Sequence, residues 1–172
     1  IPSGRGGRLS VFINSDGTFN EIKGDITVYD QTGVVIYNSF QGPEILVGHS
    51  NFESPRRETS FIQGFRLKND VIIPTRKIET NFSSLGALCM GDIDLDGDLD
   101  LFAGGRTIPG RYPEAANSIL FINDDNNFRP DVESRDLFEE IGLVTGALFT
   151  DIDSDNDPDL LLAMEWGPVT LF

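Results

Sequence analysis

One cysteine, one histidine and one tryptophan among 172 residues leave several chemistries without equipment. Cys89 has no partner for an internal disulfide, and its apolar neighbours mark it as a core residue. His49 alone cannot build a His/Cys zinc motif; in Gly48-His49-Ser50-Asn51-Phe52 it reads as a hydrogen-bonding residue at a loop or strand end rather than a general base. Cations are scarce as well. Thirteen Lys and Arg stand against 28 Asp and Glu, a formal charge of −15, which excludes the basic stripe a nucleic-acid partner requires. No apolar run approaches the ~20 residues of a membrane-spanning helix. Sustained helical periodicity is missing too, and Val132 to Ile141 has room for one short helical turn. Neither a nucleophile elbow nor a phosphate-cradling loop occurs, since Gly104-Gly105-Arg106 lacks the strand-to-helix context. Carboxylate pairs are the equipment of glycoside chemistry, but among 28 acids a chance pair is nearly assured and carries no weight.

What is present is apolar content of 39%, enough for a core, and 18 glycines with 9 prolines, which fit many turns. The acids are concentrated. Asp92-Ile-Asp94-Leu-Asp96-Gly97-Asp98-Leu-Asp100 and Asp151-Ile-Asp153-Ser-Asp155-Asn156-Asp157-Pro-Asp159 hold ten aspartates in two nine-residue loops. Such crowding requires a cation to offset the repulsion. Acids at positions 1, 3 and 5 converge, Gly97 or Asn156 at position 6 permits a sharp turn, position 7 offers its carbonyl and position 9 its carboxylate. The oxygen-rich, flexible cage favours calcium over magnesium, so two calcium sites are expected. An EF-hand would close with Glu at position 12 between helices, whereas Ala103 and Leu162 stand there, flanked by strand-like runs. A strand, calcium loop, strand hairpin fits better.

The loops also repeat. Asp92 and Asp151 stand 151 − 92, or 59, residues apart, and Phe12-Ile-Asn14 with Phe19 returns as Phe121-Ile-Asn123 with Phe128. A degenerate copy aligns Thr32-Gly-Val-Val-Ile-Tyr37-Asn38 with Thr145 to Asp151, and Pro43-Glu44 with Pro158-Asp159. Asn38, Ser39 and Gln41 cannot supply the charge, so this copy is expected to form the hairpin without metal. A period near sixty residues with about four short strands per unit suits a β-propeller blade. The expected fold is all-β, a partial β-propeller of four-stranded antiparallel blades with calcium loops. Residues 1–29 would end one blade, 30–78 form a blade without a calcium loop, 79–138 form a calcium-binding blade, and 139–172 begin another. Propellers close with four to eight blades, so a fragment is expected, in contact with further blades of the same chain.

Gly91-Asp-Ile-Asp-Leu-Asp-Gly-Asp-Leu-Asp-Leu-Phe102, Gly104-Gly-Arg106, Pro109-Gly-Arg-Tyr-Pro113 and Thr145 through Pro168 carry a resemblance to the FG-GAP/VCBS repeats of integrin-α-type propellers. The chain is similar above all to bacterial proteins that join such repeats to an ASPIC/UnbV domain. It departs from the pattern at the Asn156-Asp157-Pro158 turn and in the loop of the degenerate copy. The resemblance implies a calcium-stabilised propeller that binds protein or glycan partners outside the cell. Calcium modules of extracellular type bind at roughly 10⁻⁴ to 10⁻³ M, which points to an extracellular, periplasmic or cell-surface location. Arg106, Pro109, Arg111 and Tyr112, with Glu165, Trp166 and Pro168 in the next copy and His49, Asn51 and Phe52 in the preceding one, form a candidate binding rim of guanidinium and aromatic groups. The competing role for Arg111 and Trp166 is to staple neighbouring blades. A second function class is a carbohydrate-active enzyme, lyase or hydrolase, with its site on the propeller face or in another domain.

Overall fold

The computed structural model describes residues 1–53 and 58–172. The chain is all-β. Among the described residues, four antiparallel sheets follow one another along it. The first pairs β1 (Arg8–Ser15) with β2 (Thr18–Ile26). The second is a four-stranded meander of β3 (Asp30–Ser39), β4 (Gly42–Ser50), β5 (Phe61–Lys68) and β6 (Val71–Glu79). The third repeats that order with β7 (Ser84–Gly91), β8 (Asp100–Thr107), β9 (Ile119–Asp124) and β10 (Asn127–Pro130). The fourth holds β11 (Leu143–Thr150), β12 (Asp159–Glu165) and β13 (Thr170–Leu171). The expected helical turn is α1 (Arg135–Phe138), which drops Phe138 into the core between the last two sheets. Among the described residues no helix is long and apolar enough to cross a membrane.

Side-chain alternation stacks the sheets. Successive residues of a strand face opposite ways, so Ile45 and Val47 pack with Leu9 and Ile72 while Leu46 packs with Ile62, Leu85 and Leu101. One sheet later, Leu101 and Ala103 face back into that same core, and Phe102 faces forward to Cys89, Leu160 and Leu162. Each interior side chain of this size contributes about 1.5–3 kcal/mol of burial. Three cores therefore lie between four sheets, in chain order.

The first strands of successive meanders run close together, β3 beside β7 and β7 beside β11. Glycine sets that spacing. A Cβ on Gly33 would lie 2.6 Å from the carbonyl oxygen of Gly86, and one on Gly91 would lie 2.7 Å from the ring of Phe149. Each of these first strands also slips register near its start, between Gln31 and Val34, Leu85 and Leu88, and Val144 and Gly146. Outer hairpins close on two-residue turns with positive φ at Asp16 and Gly17, Asn69 and Asp70, and Asp125 and Asn126, the twist that suits antiparallel strands. Because strands alternate in direction, the β7–β8 and β11–β12 loops share one end of the stack with these turns. The β8–β9 and β12–β13 connections lie at the opposite end, with the end of β4.

Candidate metal centres

Each acidic loop spans a tight strand pair, Gly91 opposite Asp100 and Thr150 opposite Asp159. Within each, three carboxylates converge: oxygens of Asp92, Asp94 and Asp100 lie within 4.8 Å of one another, as do those of Asp151, Asp153 and Asp159. These two groups could hold a metal ion.

The two loops share one conformation. Positive φ recurs at Leu95 and Gly97 (58° and 97°) and at Ser154 and Asn156 (66° and 77°). Ile93 N–H donates to Asp100 and Ile152 N–H to Asp159, both at 2.8 Å. Gly97 N–H donates to Asp92 at 3.1 Å and Asn156 N–H to Asp151 at 3.2 Å. Asp98 N–H donates to Asp96 at 2.8 Å and Asp157 N–H to Asp155 at 3.1 Å. Asp96 and Asp155 are thus turned toward their own loop backbone, and the carboxylate of Asp98 reaches the N–H of Asp125 at 3.2 Å. Asp157 is exposed.

The donor set fits a hard cation. Oδ1 of Asp92 is shielded from water and has no hydrogen-bond partner among the described residues, an arrangement a bound cation would satisfy. Burial raises the Asp100 carboxyl above the usual carboxylate range, opposed by hydrogen bonds from Asn123 and Ile93 and reinforced by the charges of Asp94 and Asp96. The neighbouring charge of Asp155 raises Asp153. Repulsion of this kind is what a divalent ion would relieve.

The first site is braced better than the second. Asp100 is fully buried, and its second oxygen accepts the N–H of Asn123 at 2.8 Å, while the Asn123 amide donates to the carbonyl of Leu99 at 3.1 Å. Asn123 belongs to the Asn-x4-Phe repeat but was not foreseen as a support for the loop. No third-strand neighbour braces Asp159 in this way among the described residues, and Asp159 stays half-buried.

Compared with known protein families and with curated proteins, the chain matches none.

At the opposite end, Arg106, Tyr112, Glu165 and Trp166 of the predicted rim come together. Trp166 Nε1–H donates to the Tyr112 hydroxyl at 2.9 Å, Tyr112 donates to Glu165 at 2.8 Å, and Arg106 forms an ion pair with the same carboxylate. The Tyr112 and Arg106 donors hold Glu165 below the usual carboxylate range. Arg111 stands apart, paired with Glu114 in its own loop. Phe52 lines the same cleft as Arg106 and Tyr112, whereas Asn51 lines a separate one with Arg111.

His49 is buried in β4, stacked on Phe61 with centroids 4.6 Å apart and bonded through Nδ1 to the carbonyl of Val47. Burial lowers it to about 4, so it is neutral near pH 7, packed between the rings of Tyr29 and Phe61. Burial likewise pushes the Cys89 thiol up to about 12, which leaves it unreactive.

Proposed function

We propose that this chain is part of a calcium-stabilised β-propeller, akin to the FG-GAP/VCBS repeats, that serves as a binding module for protein or glycan partners outside the cell. In this reading each four-stranded sheet is a blade, and the stacking of successive sheets in chain order supports it. The observation that carries the proposal is the coincidence of the two acidic loops, which repeat the same turns, hydrogen bonds and converging carboxylates 59 residues apart. Asp92, Asp94 and Asp100, and Asp151, Asp153 and Asp159, would hold one ion each, with Asp96 and Asp155 close at hand and the carbonyls of Asp98 and Asp157 as further donors. A calcium ion held there would neutralise the clustered carboxylates and tie each loop between its strands. The residues themselves fix where it sits: the N–H groups of Ile93 and Ile152 orient the ninth-position carboxylates, and Gly97 and Asn156 permit the turn.

Isothermal titration with calcium is expected to give two sites per chain. Chelation is expected to lower Tm, because an ion bound only to the folded state stabilises it. Asp92→Asn and Asp151→Asn should each remove one site. Asn38→Asp should leave the count at two, since β3 and β4 close on a tight turn in which Ser39 pairs with Gly42. A stoichiometry of zero, or a Tm indifferent to chelation, would defeat the proposal.

A further inference from the structure

We propose that Asn123, on the third strand of its sheet, is a positioning residue for the first acidic loop and sets that loop's affinity for calcium. The inference rests on the binding-module reading and deepens it by naming what holds the first ion site in shape.

Asn123 grips the loop where it closes. Its backbone N–H donates to one oxygen of Asp100 at 2.8 Å, and its side-chain Nδ2 donates to the carbonyl of Leu99 at 3.1 Å. The other oxygen of Asp100 accepts the N–H of Ile93, at the start of the loop. Two residues beyond Asn123, the N–H of Asp125 donates to the carboxylate of Asp98 at 3.2 Å. Asp98, Leu99 and Asp100 are therefore all held from the end of β9, and with Asp100 goes one of the three converging carboxylates.

The side chain is unfavourable for the sheet itself. Asn123 is 2% exposed, and its Oδ1 is shielded from water without a hydrogen-bond partner among the described residues. An amide oxygen buried unpaired costs stability, so packing does not account for an asparagine at this position. Nor does the β9–β10 hairpin require one. In the second sheet Ile45 pairs with Phe65 as Leu101 pairs with Phe121 in the third, which makes Leu67 the counterpart of Asn123. That strand turns back at Asn69 and Asp70 in the same way that β9 turns at Asp125 and Asn126. Leucine thus serves the sheet whose β3–β4 turn has lost its acids, and asparagine serves the sheet whose β7–β8 loop carries them. Oδ1 of Asp92, in that same loop, is also shielded and unpaired, so the loop that Asn123 holds is one with an oxygen left for a cation.

Supports of this kind govern metal affinity. Removing a group that orients a ligating carboxylate typically weakens binding roughly 10–100-fold, because the ligand must then be ordered as the ion arrives.

The second site is silenced first, so that the other is read alone. In an Asp151→Asn background, calorimetric titration with calcium is expected to show one site, and adding Asn123→Leu should weaken it about tenfold or more. The rise in Tm on adding calcium should shrink with it. Asn123→Ala, which cannot overfill the position, should do the same. Asn123→Asp keeps the shape but presents an acceptor to the Leu99 carbonyl, and it too is expected to weaken binding, although added negative charge alone would tighten it. In an Asp92→Asn background the remaining site should keep its affinity when Asn123→Leu is added. An asparagine that merely supports the sheet gives another pattern: Tm falls equally with calcium and with chelator while affinity stays put. That pattern overturns the proposal, as does tighter binding in Asn123→Asp or an equal loss at the second site. A parent chain that binds no calcium sinks the module reading and this inference together, whereas two sites in the parent with unaltered affinity in Asn123→Leu and Asn123→Ala sink this inference alone.

Discussion

Arg76 grips Glu44 side-on, Nε to one carboxylate oxygen and a terminal nitrogen to the other, both at 3.1 Å, at the hairpin position that Asp100 and Asp159 hold in the acidic loops. Glu44 is fully buried, and it also accepts from Tyr37 at 2.9 Å and from Thr75, with Arg66 at 3.7 Å. The hairpin that lost its acids thus keeps one carboxylate and answers it with guanidinium groups. Arg76 also donates to the carbonyl of Asn126 in the next sheet, and Tyr37 reaches the Asn126 side chain at 3.2 Å. The pair therefore joins two sheets as well as closing one hairpin.

Removing Arg76 should be costly, because it leaves a buried carboxylate with poorer compensation. Arg76→Ala is expected to lose about 3 kcal/mol in urea unfolding. The double variant Glu44→Gln with Arg76→Met should recover most of that, since neutralising both members removes the buried charge. A single variant as stable as the parent would show that Arg66 alone suffices and that the side-on pair does little.

The two acidic loops should differ in how far they depend on an ion. In Asp100→Ala the N–H groups of Ile93 and Asn123 lose their acceptor in a buried setting, which costs about 1–3 kcal/mol each if left unmet. Asp159→Ala strands only the N–H of the exposed Ile152, which water can satisfy. Under chelation, Asp100→Ala is expected to lower Tm more than Asp159→Ala. Equal losses would contradict the asymmetry in bracing.

Much of this was legible in the chain because it depends on local spacing. Alternate aspartates with Gly97 or Asn156 at the turn position announce converging carboxylates, and the Thr32 and Thr145 alignment marks strands that share a register slip. Positive φ at Leu95 and Ser154 was not legible, since neither residue type favours it. The partners of Glu44 were hidden for a different reason: Arg66 and Arg76 lie on β5 and β6, and only strand pairing brings them to β4. The rim failed in grouping. Arg111 neighbours Tyr112 in sequence yet pairs with Glu114, while Glu165, more than fifty residues from Tyr112, is the hub that sheet stacking delivers.

His49 sets a pH dependence with a definite sign. Its folded value of about 4 lies below the ordinary 6.5, so between these values the unfolded chain binds a proton that the folded chain refuses. Stability is fully present above about 6.5 and declines as pH falls toward about 4, by roughly 2 kcal/mol between about pH 7 and about pH 5. Carboxylate protonation adds its own slope, so the measurement is a difference: His49→Gln should unfold with a shallower pH dependence than the parent across that window. Parallel curves would mean that the imidazole charges without cost and is not held buried.

The spacing between β3 and β7 leads to the last expectation. A Cβ at Gly33 would meet the carbonyl oxygen of Gly86 at 2.6 Å and the N–H nitrogen of Leu88 at 2.8 Å, both backbone atoms that no rotamer change can move. Overpacking of this kind typically costs about 1–3 kcal/mol, so Gly33→Ala should fall in that range although alanine is the smallest possible addition. Gly146 aligns with Gly33, but an added Cβ there would meet only the Ala163 methyl at an ordinary 3.6 Å. Gly146→Ala is therefore expected to be neutral or slightly stabilising, because it also restricts the unfolded chain. Chemical denaturation of both variants decides the point: a tolerated Gly33→Ala would mean that β3 can move away from β7, and that the stack is held by its three cores rather than by the close approach of its first strands.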